Sequence, residues 1–232
     1  MRHSIILISL LATLNYSCTN DPPAPCIVSN DAIDHFKHEA AMLFLNDLYN
    51  QQGADTSLVE INSISYQQYL QALAILYDLP NIPYYDTIIQ IHCQTNFTHS
   101  AVLRYHPSEA WVQNWLAGNL PTGNTTADSL ILLYHLNAQH SAINESMLVS
   151  SNRPLNMRRL IQVLVELPGI EEGFPNTYYS FFTKLTGNIS NNEVLFHFYY
   201  GYGDCFAGCM GYDEWRYLVN LETCSAQFLG MN

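Results

Sequence analysis

The chain has 232 residues, 48% of them apolar and 12% charged, enough for one large core or two small ones. Its net charge is −12, with 8 Lys and Arg against 20 Asp and Glu. That leaves no basic patch to neutralise phosphates, which excludes charge-driven binding to nucleic acid and to an anionic membrane surface.

The first residues read as an export signal. Arg2 and His3 form a short basic head, and residues 4–14 (SIILISLLATL) form an apolar run too short to stay in a bilayer as a spanning helix. Asn15-Tyr16-Ser17-Cys18 follows. The small residue directly before Cys18 resembles a bacterial lipoprotein cleavage box in the relaxed Ser-Cys form of Bacteroidota lipoproteins. Asn15 and Tyr16 stand where tighter boxes carry Leu and a small residue. The resemblance implies that residues 1–17 are a signal peptide, that Cys18 is lipidated, and that the chain is exported and held at the outer membrane by its lipid. Losing Arg2 with the leader turns the net charge of −12 into −13. Residues 18–29, with Asp21-Pro22-Pro23-Ala24-Pro25, read as a tether.

Residues 30–80 read as a helical segment. Ile33, Phe36, Ala40, Leu43, Phe44 and Leu48 recur at three-four spacing, behind Asn30 or Asp31 as cap. Tyr66, Tyr69, Leu70, Leu73, Ala74 and Tyr77 repeat the pattern before Pro80. The two helices are expected to pack on each other or on the sheet that follows.

Residues 86–176 read as one α+β unit. The runs 87–94 (TIIQIHCQ) and 100–106 (SAVLRYH) predict strands. Trp111 and Trp115 lie one turn apart in a helix over 108–116. Thr125 and Asp128 approximate a capping box for a helix over 128–136. A hairpin over 138–143 and 146–150 turns at Asn144-Glu145. Asn152 opens a helix to Leu167, Pro168-Gly169 stops it, and 170–174 is a last strand. From residue 100 on, the order is β-α-β-β-α-β, that of a ferredoxin-like unit. The stretch 147–176 (MLVSSNRPLNMRRLIQVLVELPGIEEGFPN) resembles the end of a subtilisin-type propeptide or inhibitor module, in which a strand leads to a short helix, a stop and an edge strand.

Residues 190–232 read as a clasped β-hairpin packed on the preceding unit. The strands 193–202 and 213–223 alternate: Phe196, Phe198 and Tyr200 share one face of the first, and Trp215, Tyr217, Val219 and Leu221 one face of the second. Residues 225–229 add a third strand or continue the second. The fold class is therefore α+β, with N-terminal helices, a ferredoxin-like βαββαβ centre and a C-terminal disulfide-clasped hairpin.

Exported thiols pair. Cys205 and Cys209, between Gly203 and Gly208, are expected to bridge locally. Cys93 and Cys224 lie in apolar-alternating runs and are candidates to meet across a sheet, one of three pairings open to four cysteines. Cys26 is left odd in the tether. A zinc site drawing on Cys205, Cys209 and His197 or His92 lacks the second cysteine pair such sites use, and no cofactor is expected.

Four stretches recur in this order in a family of uncharacterised exported proteins of Bacteroidota, which the chain resembles from about Tyr66 to its end. They are the IHxxT-like 91–95, AWVQNW…PTGN in 110–124, PLNMRRL…LPGI in 154–170, and GYGDCFAGC…EW in 201–215. The resemblance implies architecture and location and carries no activity.

No catalytic signature stands out. There is no Gly-x-Ser-x-Gly elbow and no phosphate loop. His92, His99, His106, His135, His140 and His197 show no metal-ligand spacing and read as half-exposed surface histidines. Glu171-Glu172 is a lone acidic pair. The chain is rich in tyrosine, and Tyr200, Tyr202, Tyr212 and Trp215 are candidate binding aromatics. The expectation is a non-enzymatic envelope lipoprotein that binds an envelope protein or a glycan, or supports a surface assembly. A protease-inhibitor-like module on 100–176 is the alternative. A glycan hydrolase, needing an aromatic cleft with two carboxylates, is the third reading.

Overall fold

The computed structural model describes residues 26–91, 95–141, 145–176, 182–205 and 208–232. The leader, Cys18, His92 and Cys93 lie outside them. The protein is α+β, with two four-stranded antiparallel sheets. No helix of the described residues is long and apolar enough to cross a membrane.

Helices α1 (Asn30–Asn50) and α2 (Ile64–Tyr77) form an antiparallel pair. Each starts at a serine whose hydroxyl accepts from a backbone N–H of the first turn: Ser29 from Ala32, and Ser63 from Tyr66. The cap of α1 is thus Ser29, not Asn30 or Asp31. Ser29 also donates, through its N and Oγ, to the Asp78 carboxylate at the end of α2, at 2.6 and 2.7 Å. The predicted strand 87–94 is instead a short helix, α3 (Tyr85–Ile88), with 92–94 outside the described residues. Ile88 and Ile91, three apart, are both buried, and that spacing suits a helical turn and not a strand.

The central unit matches the sequence reading closely. Strand β1 (Ser100–Tyr105) is followed by α4 (Ala110–Leu116) and α5 (Thr125–Tyr134), the hairpin β2 (Leu136–His140) and β3 (Ser146–Ser151), α6 (Met157–Leu164) and β4 (Ile170–Pro175). The sheet order β2-β3-β1-β4, antiparallel throughout, is that of a ferredoxin-like unit. Ala101, Leu103, Met147 and Val149 face Trp111, Trp115, Ile131, Leu160 and Leu164. The caps differ from expectation. Asn124, not Thr125, caps α5, and Asp128 reaches back to the N–H of Thr122. Asn156, not Asn152, caps α6. Gly169 ends that segment in the left-handed conformation, φ 82°, where an added Cβ would strike the Glu109 side chain.

The C-terminal sheet is a meander, β5 (Thr183–Ser190), β6 (Glu193–Tyr202), β7 (Gly211–Asn220) and β8 (Ser225–Met231). Three cross-strand rows build its inner face: Leu185, Phe198 and Trp215; then Phe196, Tyr217 and Phe228; then Ile189, Val194, Val219 and Ala226. Phe36, Ala40 and Leu43 of α1 and Tyr69, Leu73 and Leu76 of α2 cover it. The C-terminal strands therefore pack on the N-terminal helices, not on the central unit as expected. The two ends of the chain make one unit, and the ferredoxin-like unit is inserted between them.

A second correction concerns the cysteines. Cys224 bridges Cys26, across a sequence separation of 198, and the Cys93–Cys224 pairing does not form. Cys26 is not odd: it sits just before α1, with its Sγ 3.0 Å from Leu221 O of the β7–β8 turn that holds Cys224.

The two units meet around Asn156, which is 2% exposed. Its Oδ1 accepts from Tyr49 Oη and from Arg159 N, its Nδ2 donates to Leu58 O, and its own N–H donates to Val59 O. Val59 joins the central core, so the α1–α2 loop is a plug. Nearby, His38 of α1 packs its ring on His99, centroids 4.5 Å apart, and its Nδ1 lies 3.1 Å from Thr98 Oγ1.

Two predictions follow from these contacts. In the chain-entropy description, a bridge closing a loop this long stabilises the fold by up to about 5 kcal/mol. The Cys26→Ser/Cys224→Ser variant should lose a large part of that, read as a lower denaturant midpoint. Burial, then the neighbouring His99 and Lys37, push the His38 pKa down to about 4 from its ordinary 6.5. Between those values the unfolded chain takes up a proton that the folded chain refuses. Stability is therefore full above pH 6.5 and falls towards pH 4. The loss is on the order of 2 kcal/mol after solvent screening. His38→Gln should flatten that part of the profile in denaturation measured at several pH values.

Candidate functional site

The β6–β7 hairpin tip is closed by the Cys205–Cys209 disulfide, as its spacing suggests. The clasp folds onto the outer face of the sheet and rests on Gly201. A Cβ at that position would collide with both sulfurs and with the Tyr212 ring, so only glycine lets the clasp seat there. Cys205 is buried, and the Met210 N–H bonds back to Tyr202 O at 2.9 Å.

The four candidate aromatics divide. Tyr200, Tyr202 and Tyr212 are 47%, 52% and 47% exposed, beside Met210 at 82%. Trp215 is 6% exposed, in the inner face against α1 and α2, with its indole ring near Tyr84. It is a core residue and cannot meet a ligand. Its position in the strand explains why: Trp215 pairs with Phe198, while Tyr212 falls on the opposite face and pairs with Gly201. Tyr202 pairs with Gly211 and lies over it, on the same side as Tyr200 and beyond the reach of the helices.

Beside the tip, the outer face carries a second group that the sequence pattern does not single out. Two rows run across the sheet: Thr186, His197, Arg216 and Gly230; and Lys184, Tyr199 and Glu214, with Asn232 beyond. His197 Nδ1 hydrogen-bonds Glu214 Oε1, and Asn232 Nδ2 donates to Glu214 Oε2 at 3.0 Å. The bond to His197 first, then that to Asn232, holds the Glu214 carboxyl below its usual range. The His197 and Tyr199 rings stack at 6.2 Å, Lys184 Nζ stands 5.5 Å from the Tyr199 ring centre, and Tyr199 meets Tyr212 edge-on. Burial raises the Tyr199 hydroxyl pKa, so it stays a donor. His197 is therefore an engaged residue of this cluster, not an isolated surface histidine.

A cleft of about 360 Å³ lies between the end of α1 and the α1–α2 loop, lined by Phe44, Leu45, Leu48, Leu58 and Ile61 among others. Its two carboxylates are engaged. Asp55 accepts from Ser57 N at 2.9 Å and is held below its usual range by Ser57, and Glu60 pairs with Arg153 at 3.3 Å. A glycosidase acid needs a raised pKa, and Asp55 is shifted the other way. Among the described residues no three His, Cys, Asp or Glu side chains converge as a metal site. Comparison with protein-family models, with curated proteins and with solved structures finds no match.

The clasp closes a short loop, and the chain-entropy gain is correspondingly about 2 kcal/mol. Cys205→Ser/Cys209→Ser should melt modestly lower and lose amide protection mainly between Tyr202 and Tyr212, leaving β6 and β7 intact. Hydrogen exchange at residue resolution checks this.

Proposed function

We propose that the chain is a non-enzymatic lipoprotein, exported and anchored to the outer membrane through Cys18, that binds a macromolecular partner with the clasped end of its C-terminal sheet. The two disulfides among the described residues are compatible with an extracytoplasmic location. The observation that carries the reading is the tip itself. Exposed Tyr200, Tyr202, Tyr212 and Met210 sit on a hairpin covalently tied at its end, so rigid aromatic surface is presented at little ordering cost. The placement supports it further. The Cys26–Cys224 bridge roots the N-terminal tether at the β7–β8 turn, and β7 runs 10 residues from there to the tip. At strand spacing that is about 30 Å, which points the tyrosines away from the anchor.

A protease-inhibitor-like role of the central unit has one observation in its favour, the ferredoxin-like sheet with β4 at its edge. Glu171, Glu172 and Pro175 blunt that edge against strand addition, so this reading ranks second.

The test is photo-crosslinking in intact envelopes with a probe at Met210. Tyr200→Ser/Tyr202→Ser should cut partner capture by about tenfold. Leu132→Ser, exposed on α5, should leave it unchanged. Cys18→Ala should release a folded chain from the membrane fraction. Full capture by the tyrosine variant overturns the tip assignment, and unchanged fractionation of Cys18→Ala overturns the anchor.

A further inference from the structure

In so acidic a chain, the few cations reveal what they face. All Lys and Arg residues except Arg2 are among the described residues. Most have an internal partner. Lys37 pairs with Asp34 at 3.1 Å, Arg104 with Glu172 at 2.7 Å and Arg153 with Glu60 at 3.3 Å. Arg158 stacks on Tyr49 at 4.5 Å, and Arg159 donates to Ser57 O at 3.0 Å and Gln162 Oε1 at 2.9 Å. Lys184, whose Nζ stands 5.5 Å from the Tyr199 ring centre, and Arg216 are the remaining two, and both stand on the outer face of the C-terminal sheet.

Neither has a carboxylate within ion-pair distance among the described residues. Arg216 is half-buried between His197 and Gly230, and its Nε is buried with no hydrogen-bond partner. Gly230 leaves room for its guanidinium: a Cβ there would stand 3.5 Å from Nη2. Glu214, the acid of the two rows, is spent on His197 and Asn232. Glu214 also takes the Tyr199 hydroxyl, so the donors left are Arg216 and Lys184, beside an acid that is already satisfied. Such a set accepts an anion, and the guanidinium fork fits a carboxylate bidentately.

The rest of the face narrows the ligand. Two cations without a carboxylate partner in a chain of net charge −12 match one anionic group on an otherwise uncharged chain, and no polyanion. The backbone groups of β6 and β7 are spent in the ladders on both sides, so a peptide cannot add here as a strand. Only side chains meet the ligand: Asn188, Gln227 and Asn232 offer amide groups, and Tyr212 an exposed ring. That complements the hydroxyls and C–H faces of a sugar.

We propose that the outer face of the C-terminal sheet binds a carboxylate-bearing saccharide of the uronate type, with Arg216 and Lys184 holding the carboxylate and Gln227 and Asn232 meeting the neighbouring hydroxyls. It rests on the reading of the chain as a binding module, and deepens it by naming a ligand class.

The experiment is calorimetric titration of the full-length chain in detergent with glucuronosyl-xylotriose, which carries one uronate carboxylate, with its carboxyl-reduced neutral counterpart, and with an end-blocked tetrapeptide carrying one glutamate. The uronate should bind, with the neutral sugar and the peptide each at least about tenfold weaker. Arg216→Gln should lower uronate affinity about tenfold, and Lys184→Gln, at an exposed position, about threefold with an unchanged melting temperature. The Tyr200→Ser/Tyr202→Ser variant keeps every residue of this site and should bind the uronate unchanged, so the tip and this face fail separately. Absence of uronate binding, equal binding of the neutral sugar, tighter binding of the peptide, or full affinity in Lys184→Gln overturns the proposal.

Discussion

The inner face of the C-terminal sheet is the constraint on which the rest of the structure depends. Phe196, Phe198, Trp215 and Tyr217 are large, and nothing close to them in sequence can cover them. The nearest helix, α6, is already committed to the ferredoxin-like core through Leu160 and Leu164. The cover comes from the other end of the chain. Tyr69 of α2 shows how closely the two fit: its ring presses on Gly187, and its hydroxyl donates to Asp47 of α1 at 2.6 Å, beside the Gly187 carbonyl. Tyr217 in turn donates its hydroxyl to Pro83 O, whereas the indole N–H of Trp215 is buried in the same layer without a hydrogen-bond partner among the described residues.

Once the ends must meet, the central unit becomes an insertion, and its attachment has to be firm at both entry and exit. Asn156 supplies much of that firmness. It caps its own helix and at the same time takes the Tyr49 hydroxyl and the carbonyl groups of the α1–α2 loop. A buried amide left half-satisfied would destabilise the seam, and here both ends of the side chain are used. The loop it holds also delivers Val59 to the central core, so the two cores share one boundary, polar at Asn156 and apolar at Val59.

The central unit was legible because its signals are local. Strand and helix lengths, the Pro168-Gly169 stop and the β-α-β-β-α-β order lead to the observed sheet order without distant information. The alternation of β6 and β7 was equally plain, and so was the local clasp. What escaped was long-range or masked by composition. Strand β5 (TKLTGNIS) has one fully buried side chain, Leu185, because Gly187 yields its place to Tyr69, and so it lacks the apolar alternation that marks a strand. The Cys26 partner depends on which helices cover which sheet, and no spacing encodes that. Trp215 looked like a binding residue by type, yet the period of two that places Phe196 and Phe198 inward places it inward as well. His197, Tyr199, Glu214, Arg216 and Lys184 occupy the intervening positions, and polar residues at alternate places read as a solvated surface until the register sets them side by side.

The insertion also dictates an order of events during synthesis. The ferredoxin-like unit is contiguous and can close as soon as β4 has been made. The outer unit cannot. Helices α1 and α2 are finished first, yet Phe36, Leu43, Leu73 and Leu76 have no sheet to lie against until the last strands arrive. Until β8 has been made, the chain therefore carries a folded middle between two apolar ends that have nothing to lie against, and the outer unit is the last part of the molecule to close.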